Sequence, residues 1–153
     1  MRGLSVAFNV ANAIAISGWL VLFGYPFWPQ AARMTVLSIA VALLCALYCW
    51  FVFFVRHLRE PGAAAGKGGF SSLAGVVNLF RSPRVVLAGW IHYLAFDLMV
   101  GLYIVTDASR IGITHWWLLP ALLLTLIFGP AGLLLYLVMR SMLTSASWTL
   151  ALS

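Results

Sequence analysis

Four apolar stretches, each close to the length of a membrane-spanning helix, dominate this sequence. A helix needs about 20 predominantly apolar residues to cross the hydrocarbon core of a bilayer. Together the stretches occupy most of the 153 residues, so the sequence predicts one transmembrane domain over 1–153. The expected fold is all-α, an integral membrane four-helix bundle, with spans at approximately 4–23, 34–55, 85–105 and 116–139.

Charged residues are too few for a water-soluble domain, at 8% of the chain against about 25% in ordinary soluble proteins. The net charge of +6 does not indicate nucleic acid, because the basic residues follow the positive-inside rule. Arg33 and Arg110 fall on one predicted side. The other seven fall on the side that we assign to the cytoplasm: Arg2, Arg56, Arg59, Lys67, Arg81, Arg84 and Arg140. Both termini and the loop 56–84 are therefore expected to be cytoplasmic.

The first apolar stretch is interpreted as a retained helix, because it exceeds the roughly 7–15 apolar residues of a signal peptide. No Ser/Arg-rich transit peptide precedes it, and the simplest placement is a bacterial inner membrane as a multi-pass protein. A short amphipathic helix at the cytoplasmic interface is predicted before the third span, because apolar residues recur at helical spacing between Leu73 and Phe80. Pro83 then suits the first position of the third span.

The third span carries an aspartate and a histidine at lipid depth. Ionisable residues are costly and rare inside spans, so Asp97 and His92 are candidates for a functional site. Trp90, Tyr93 and Asp97 lie on one helix face, whereas His92 lies about 140° around the helix from Asp97. The two can line one cavity only if this helix is central in the bundle. The alternative is that both are buried structural polar groups.

Polar residues on the other spans extend the candidate site. Asn9 and Asn12, three residues apart on the first span, serve either as hydrogen bonds between helices or as substrate contacts. Asp107 is either a site residue or one half of an interfacial ion pair with Arg110. The three histidines of the chain lie on separate segments without ligand spacing, so no metal or other cofactor is expected.

Two further residues complete the candidates outside the third span. His115 precedes two tryptophans and fits an aromatic belt as well as a site. Pro130 breaks the fourth span, either opening a pocket or only shaping the packing. The candidate substrate-binding set is therefore Tyr93, Trp90, Asn9, Asn12, Phe96, Asp107, His115 and Pro130.

The run from residue 75 to residue 101 resembles the ABA4-like family of membrane proteins, above all in Gly-Trp-Ile-His-Tyr-Leu-Ala-Phe-Asp at residues 89–97. Matches continue through Asp107, His115, Phe128-Gly129-Pro130 and Arg140, so the resemblance covers nearly all of residues 70–140. It implies a four-helix integral membrane protein. Plant members are linked to neoxanthin formation from violaxanthin in plastid membranes. The lack of a transit extension and the short tails suggest a bacterial member, and because many bacteria make no neoxanthin, the substrate is not carried over from the plant members.

The chemistry that this resemblance implies is an isomerisation without redox change, in which an epoxide opens and a neighbouring C–H is lost. Such a reaction needs an acid and a base. We assign the acid to Asp97 and the base to His92, with the reverse order as the alternative, and Tyr93 and Asn12 are expected to hold the oxygen. The expected function is an intramembrane isomerase of a carotenoid or related polyisoprenoid. The alternative is a non-catalytic protein that binds pigment, quinone or lipid, or an assembly factor. The expected partners are membrane lipid and the hydrophobic substrate, and homo-oligomerisation is left open.

Overall fold

The computed structural model describes residues 2–54 and 68–143, which form six helices and no strand. Three are long and apolar enough to cross a membrane: α1 (Arg2–Phe23), α2 (Pro29–Phe53) and α4 (Pro83–Arg110). The shorter ones are α3 (Leu73–Leu79), α5 (His115–Phe128) and α6 (Pro130–Leu143). The predicted all-helical membrane fold class is thereby confirmed. Residues 55–67, which include the first part of the predicted cytoplasmic loop 56–84, lie outside the described residues.

Prolines and caps set the helix boundaries. Pro26 cannot continue α1, and Pro29 occupies the favoured first turn of α2. Ser72 caps α3, where its hydroxyl accepts a hydrogen bond from the Gly75 amide at 3.1 Å. Pro83 begins α4, as its position after the predicted amphipathic helix indicates. Within α2, the backbone changes to π-helical geometry over Thr35–Val41.

α1 and α4 run parallel and pack closely where each carries a glycine. A Cβ added to Gly101 would lie 2.7 Å from Cη2 of Trp19, and one added to Gly18 would lie 2.6 Å from Cδ2 of Leu98. A Cβ at position 101 would collide with the Trp19 ring and with Leu22, so glycine permits this approach there, whereas a Cβ at position 18 would require the flexible Leu98 side chain to shift. The crossing buries Trp19 and Leu98 in the core.

The fourth predicted span is two helices and not one. α5 and α6 have 14 residues each, about 21 Å of helix, which is too short to cross a hydrocarbon core of about 30 Å. Gly129 between them has a φ of +40°, in the left-handed region that glycine adopts readily. Pro130 then occupies the first position of α6, where its missing N–H costs nothing. The Gly-Pro pair therefore ends one helix and starts the next, where the sequence analysis predicts a single span at 116–139.

The two helices form a hairpin. A Cβ on Gly132 would overlap Thr125 of α5, so α6 folds back directly against α5. Arg140, near the end of α6, pairs at 2.9 Å with Asp107, near the end of α4. Because α5 starts just after α4 ends, this ion pair shows that the hairpin returns to the end of the bundle from which it started. Residues 2 and 143 therefore lie at opposite ends of the bundle. The prediction that both termini are cytoplasmic concerns residues 1 and 144–153, which lie outside the described residues.

Candidate functional site

Asp97 meets the tip of the hairpin halfway along α4, about 20 Å from either end of that helix. The side chain is only 7% exposed, and its Oδ2 atom is buried without a hydrogen-bond partner among the described residues. Its Oδ1 atom faces Gly129 so closely that a Cβ at that position would overlap it. The tip glycine thus has two functions, since it reverses the chain and leaves space for the carboxyl.

Tyr93, one turn before Asp97 on α4, fastens the tip to this helix. Its hydroxyl donates to the carbonyl of Ile127 at 2.6 Å. The carbonyls at a helix C-terminus lack partners within the helix, and hydrocarbon offers none. The Gly129 carbonyl is satisfied in turn by the amides of Gly132 and Leu133, at 3.1 and 3.3 Å. These hydrogen bonds give the Ile127 and Gly129 carbonyls at the tip partners within the protein, which a tip at membrane depth requires.

An aromatic row leads away from Asp97 towards the start of α1, and it consists of Tyr93, Trp90 and Phe8. The rings of Trp90 and Tyr93 stack with centroids 5.4 Å apart, and those of Phe8 and Trp90 stack at 5.9 Å. The indole N–H of Trp90 donates to Oδ1 of Asn12 at 3.3 Å. Four predicted site residues, Asp97, Tyr93, Trp90 and Asn12, are thereby brought together.

His92 lies on another side of α4. Its ring packs against Tyr48 of α2 and Phe96, with centroids 5.7 and 4.4 Å apart, and it is exposed. This placement follows from the five-residue spacing to Asp97, which turns the two side chains about 140° apart. Phe96 is 58% exposed, and Asn9 is exposed on α1. The structure does not gather these three predicted residues around the carboxyl.

Asp107 belongs to a second polar cluster, which we call the polar latch: Asp107, Tyr136 and Arg140. Its Oδ2 accepts hydrogen bonds from the Tyr136 hydroxyl at 2.5 Å and from Nε of Arg140 at 2.9 Å. All three residues are buried, at 5% exposure or less. The latch joins the end of α6 to the end of α4 and so holds the base of the hairpin.

Tyr136 and Arg140 were missed as interaction partners in the sequence. Arg140 was assigned to the cytoplasmic charges, because a basic residue after an apolar stretch usually marks its end. The available signal was the four-residue spacing from Tyr136, which places both side chains on one helix face that an acidic partner can satisfy.

His115 and Pro130, two predicted substrate-binding residues, lie at a contact between two helices and at the hairpin turn. Nε2 of His115 lies 3.1 Å from the Phe23 carbonyl, which can only accept, so this nitrogen donates. The ring also stacks on Tyr25 at 6.4 Å. His115 thus ties the start of α5 to the end of α1. Pro130 shapes the turn at the hairpin tip.

Within the described ranges, no group of three or more His, Cys, Asp or Glu side chains could hold a metal ion. A groove of about 330 Å³ lies elsewhere, between α1 and α2, with Ser17, Gly18 and Thr35 in its lining. Asp97 is not among the residues that line it. The chemistry that this site can perform therefore depends on one carboxyl and the adjoining aromatic row.

The sequence of residues 6–136 matches the family described as ABA DEFICIENT 4-like, or ABA4-like. The chain belongs to the ABA4-like family. The matched residues include Asp97, the aromatic row, the hairpin tip and Asp107 with Tyr136, so the whole site lies within the ABA4-like region. Neither a curated protein nor a solved structure matches the chain significantly. Site assignments in this ABA4-like protein therefore depend on its own geometry.

Proposed function

We propose that this ABA4-like protein is an intramembrane isomerase that acts on a carotenoid or related polyisoprenoid through the carboxyl group of Asp97. The supporting observation is the position of that carboxyl. It is buried halfway along a spanning helix, with one oxygen unpartnered among the described residues and the other facing a glycine. A carboxyl in hydrocarbon costs roughly 2.5–3.5 kcal/mol on insertion scales, and a role in proton transfer is a reason to retain it.

One carboxyl is sufficient for an isomerisation without redox change. The protonated acid donates its proton to an epoxide oxygen or to an alkene carbon, and the resulting carboxylate then removes a proton from a neighbouring carbon. The electron pair of that C–H bond forms the new double bond, so the enzyme returns to its starting state. Tyr93 lies beside this carboxyl, one turn earlier on α4, and the face of an aromatic ring stabilises positive charge that develops on carbon.

His92 is the base in a two-group alternative. Its ring contacts Tyr48 and Phe96 on another side of α4, which favours the one-carboxyl scheme. The setting that we propose is a bacterial inner membrane. Membership of the ABA4-like family supports a role related to neoxanthin and its precursors in a general sense, and the substrate of this chain is a polyene of that chemical class.

The test compares Asp97→Asn with His92→Phe in lipid nanodiscs that contain an epoxy-carotenoid or an acyclic polyene. Loss of an acid–base group lowers rates about 10²–10⁴-fold. We expect that loss for Asp97→Asn and nearly parental turnover for His92→Phe, measured as isomer formation and as deuterium uptake from heavy water. An equal loss in both folded variants would support the two-group scheme. Parental rates in both would refute the role of Asp97.

A non-catalytic pigment- or lipid-binding function is the second candidate. The exposed aromatic row supports it, since 39% of Trp90 and 43% of Phe8 are open to the surroundings. A binding protein would co-purify with a polyene and return it unchanged, without deuterium uptake. In that case Asp97→Asn would alter retention of the polyene while no isomer formed in any variant.

A further inference from the structure

Large apolar side chains are left uncovered on the segment that precedes α4. Phe70 and Leu73 are 85% and 81% exposed, and Val77 and Phe80 are 50% and 45% exposed. Leu73, Val77 and Phe80 follow one another at intervals of four and three residues, so they lie on one face of α3. We call Phe70, Leu73, Val77 and Phe80 the apolar stripe. Apolar surface left open in this way marks a site of interaction with a partner or a membrane.

The other side of α3 packs onto the chain that leads into it. The Gly69 amide donates to the Gly75 carbonyl at 3.2 Å. A Cβ on Gly68 would lie 3.2 Å from Cα of Leu79, so the backbone at residues 68 and 69 lies directly against the helix. Leu79 is partly buried there. Among the described residues, α3 is therefore covered on this side, and the apolar stripe faces outward.

Phe80 attaches α3 to the first turns of α4. A Cβ on Gly89 would lie 3.0 Å from Cε1 of Phe80, and Gly89 lies about 9 Å from the start of α4. The 28 residues of α4 form about 42 Å of helix, which exceeds a hydrocarbon core of about 30 Å. The ends of α4 therefore extend past the hydrocarbon of a membrane that it crosses. A helix packed beside its first turns lies at the boundary between hydrocarbon and water.

The charges at this end of the bundle are positive. Arg81 directly follows the apolar stripe and is exposed, and Arg84 lies in the first turn of α4. Arg2 begins α1 at the same end, because α1 and α4 run parallel. The acidic residues of the described ranges, Asp97 and Asp107, lie halfway along α4 and near its other end. Exposed apolar side chains beside cationic ones match a lipid surface with anionic head groups and an apolar interior.

We propose that the apolar stripe and Arg81 form a docking surface for anionic phospholipid. The apolar side chains enter the boundary between head groups and acyl chains, and Arg81 pairs with the negative charge of a head group. This contact holds α3 flat on the membrane beside the start of α4. It does not depend on Asp97 or on the proposed isomerase, because no residue of the docking surface belongs to that site.

The test measures which lipid lies next to the apolar stripe in the intact protein. In a background with Cys45 and Cys49 changed to alanine, Leu73→Cys is labelled with a bimane fluorophore. The protein is placed in phosphatidylcholine vesicles that contain equal fractions of brominated phosphatidylcholine or brominated phosphatidylglycerol, which quench a fluorophore on contact. We expect quenching by both lipids, with phosphatidylglycerol the stronger quencher. Ala74→Cys, exposed but about 100° further around α3, should be quenched much less by either lipid.

A matched pair of arginine variants tests the recognition of charge. Arg81→Gln should lower the preference for phosphatidylglycerol about fivefold, since one basic residue at an anionic surface contributes about 1 kcal/mol. Arg33→Gln, exposed in the first turns of α2 and therefore at the other end of the bundle, should leave that preference unchanged.

Three results would overturn the proposal. Equal quenching at position 73 by the two lipids would show a membrane contact that does not recognise charge. A label at position 73 that is shielded from water but quenched by neither lipid would show that protein covers the apolar stripe, as a second copy of the chain would. Equal quenching at positions 73 and 74 would show that the apolar stripe does not face the lipid.

Discussion

Removing one member of the polar latch leaves a charge buried without its partner at the base of the hairpin. Arg140 and Asp107 have side chains that are 6% and 5% exposed, so water cannot replace a lost partner. Breaking a buried ion pair from one side costs about 3–5 kcal/mol, whereas an exposed pair contributes about 1 kcal/mol or less. We therefore expect Arg140→Gln and Asp107→Asn each to lower the free energy of unfolding by about 3–5 kcal/mol.

Removing the whole latch should cost much less. Because the Tyr136 hydroxyl donates to the same Asp107 oxygen, the pair cannot be replaced cleanly unless Tyr136 changes as well. The triple variant Asp107→Leu, Tyr136→Phe, Arg140→Met removes every member, and well-packed apolar replacements of buried ion pairs are often neutral or stabilising. Reversible unfolding in bicelles measures all three proteins. Single variants that lose less than about 1 kcal/mol, or a triple variant as unstable as the singles combined, would refute the reasoning.

Two glycine substitutions test the packing of the site and of the core, each against a matched glycine. In the isomer-formation assay, Gly129→Ala should abolish turnover, because its Cβ would overlap the Asp97 carboxyl. Gly112→Ala, also at positive φ but with open space around it, should retain turnover. Gly101→Leu should destabilise the crossing of α1 and α4 by several kcal/mol in bicelle unfolding, since overpacking a tight core costs about 1–3 kcal/mol even for added methylenes. Gly3→Leu, which has no neighbour within 4 Å, should unfold like the parent.

The long helices and their boundaries follow directly from the sequence. Hydropathy over about 20 residues predicts α1, α2 and α4, because nothing except a helix satisfies its own backbone across a membrane. The apolar spacing from Leu73 to Phe80 predicts the short helix α3. The preference of proline for a first helical turn predicts that α4 begins at Pro83. These signals are local, so neighbouring residues are sufficient to interpret them.

The hairpin depends on distant contacts and could not be predicted in the same way. A Gly-Pro pair such as Gly129-Pro130 can bend a spanning helix or reverse it, and the local sequence is the same in both cases. Whether the helix bends or reverses depends on where Arg140 finds its partner, either at the cytoplasmic end or at the opposite end with Asp107. Arg140 and Asp107 lie 33 residues apart in sequence. When Arg140 is counted on the side of Asp107, six basic residues remain on the predicted cytoplasmic side and three lie on the other side. The positive-inside rule therefore still places the start of α1 in the cytoplasm.

The candidate site was predicted in part. The shared face of Trp90, Tyr93 and Asp97 follows from helical periodicity, and Asn12 joins it through a contact that periodicity alone cannot supply. The same periodicity separates His92 from Asp97, although a central helix could still have exposed both to one cavity. The tip that covers Asp97 was not predicted because it belongs to the hairpin.

The central claim is that α5 and α6 form a hairpin that reaches Asp97 and returns to the end of the bundle where α4 ends. The side of the membrane on which residue 142 lies tests this claim most directly. In a background with Cys45 and Cys49 changed to alanine, single cysteines are introduced as Gly68→Cys, Ser109→Cys and Met142→Cys, all at exposed positions. A membrane-impermeant maleimide is then added to intact cells and to inverted vesicles. The hairpin predicts that Met142→Cys reacts from the same side as Ser109→Cys and from the side opposite Gly68→Cys. Reaction of Met142→Cys from the side of Gly68→Cys would show that the chain crosses the membrane a fourth time, and it would contradict the account.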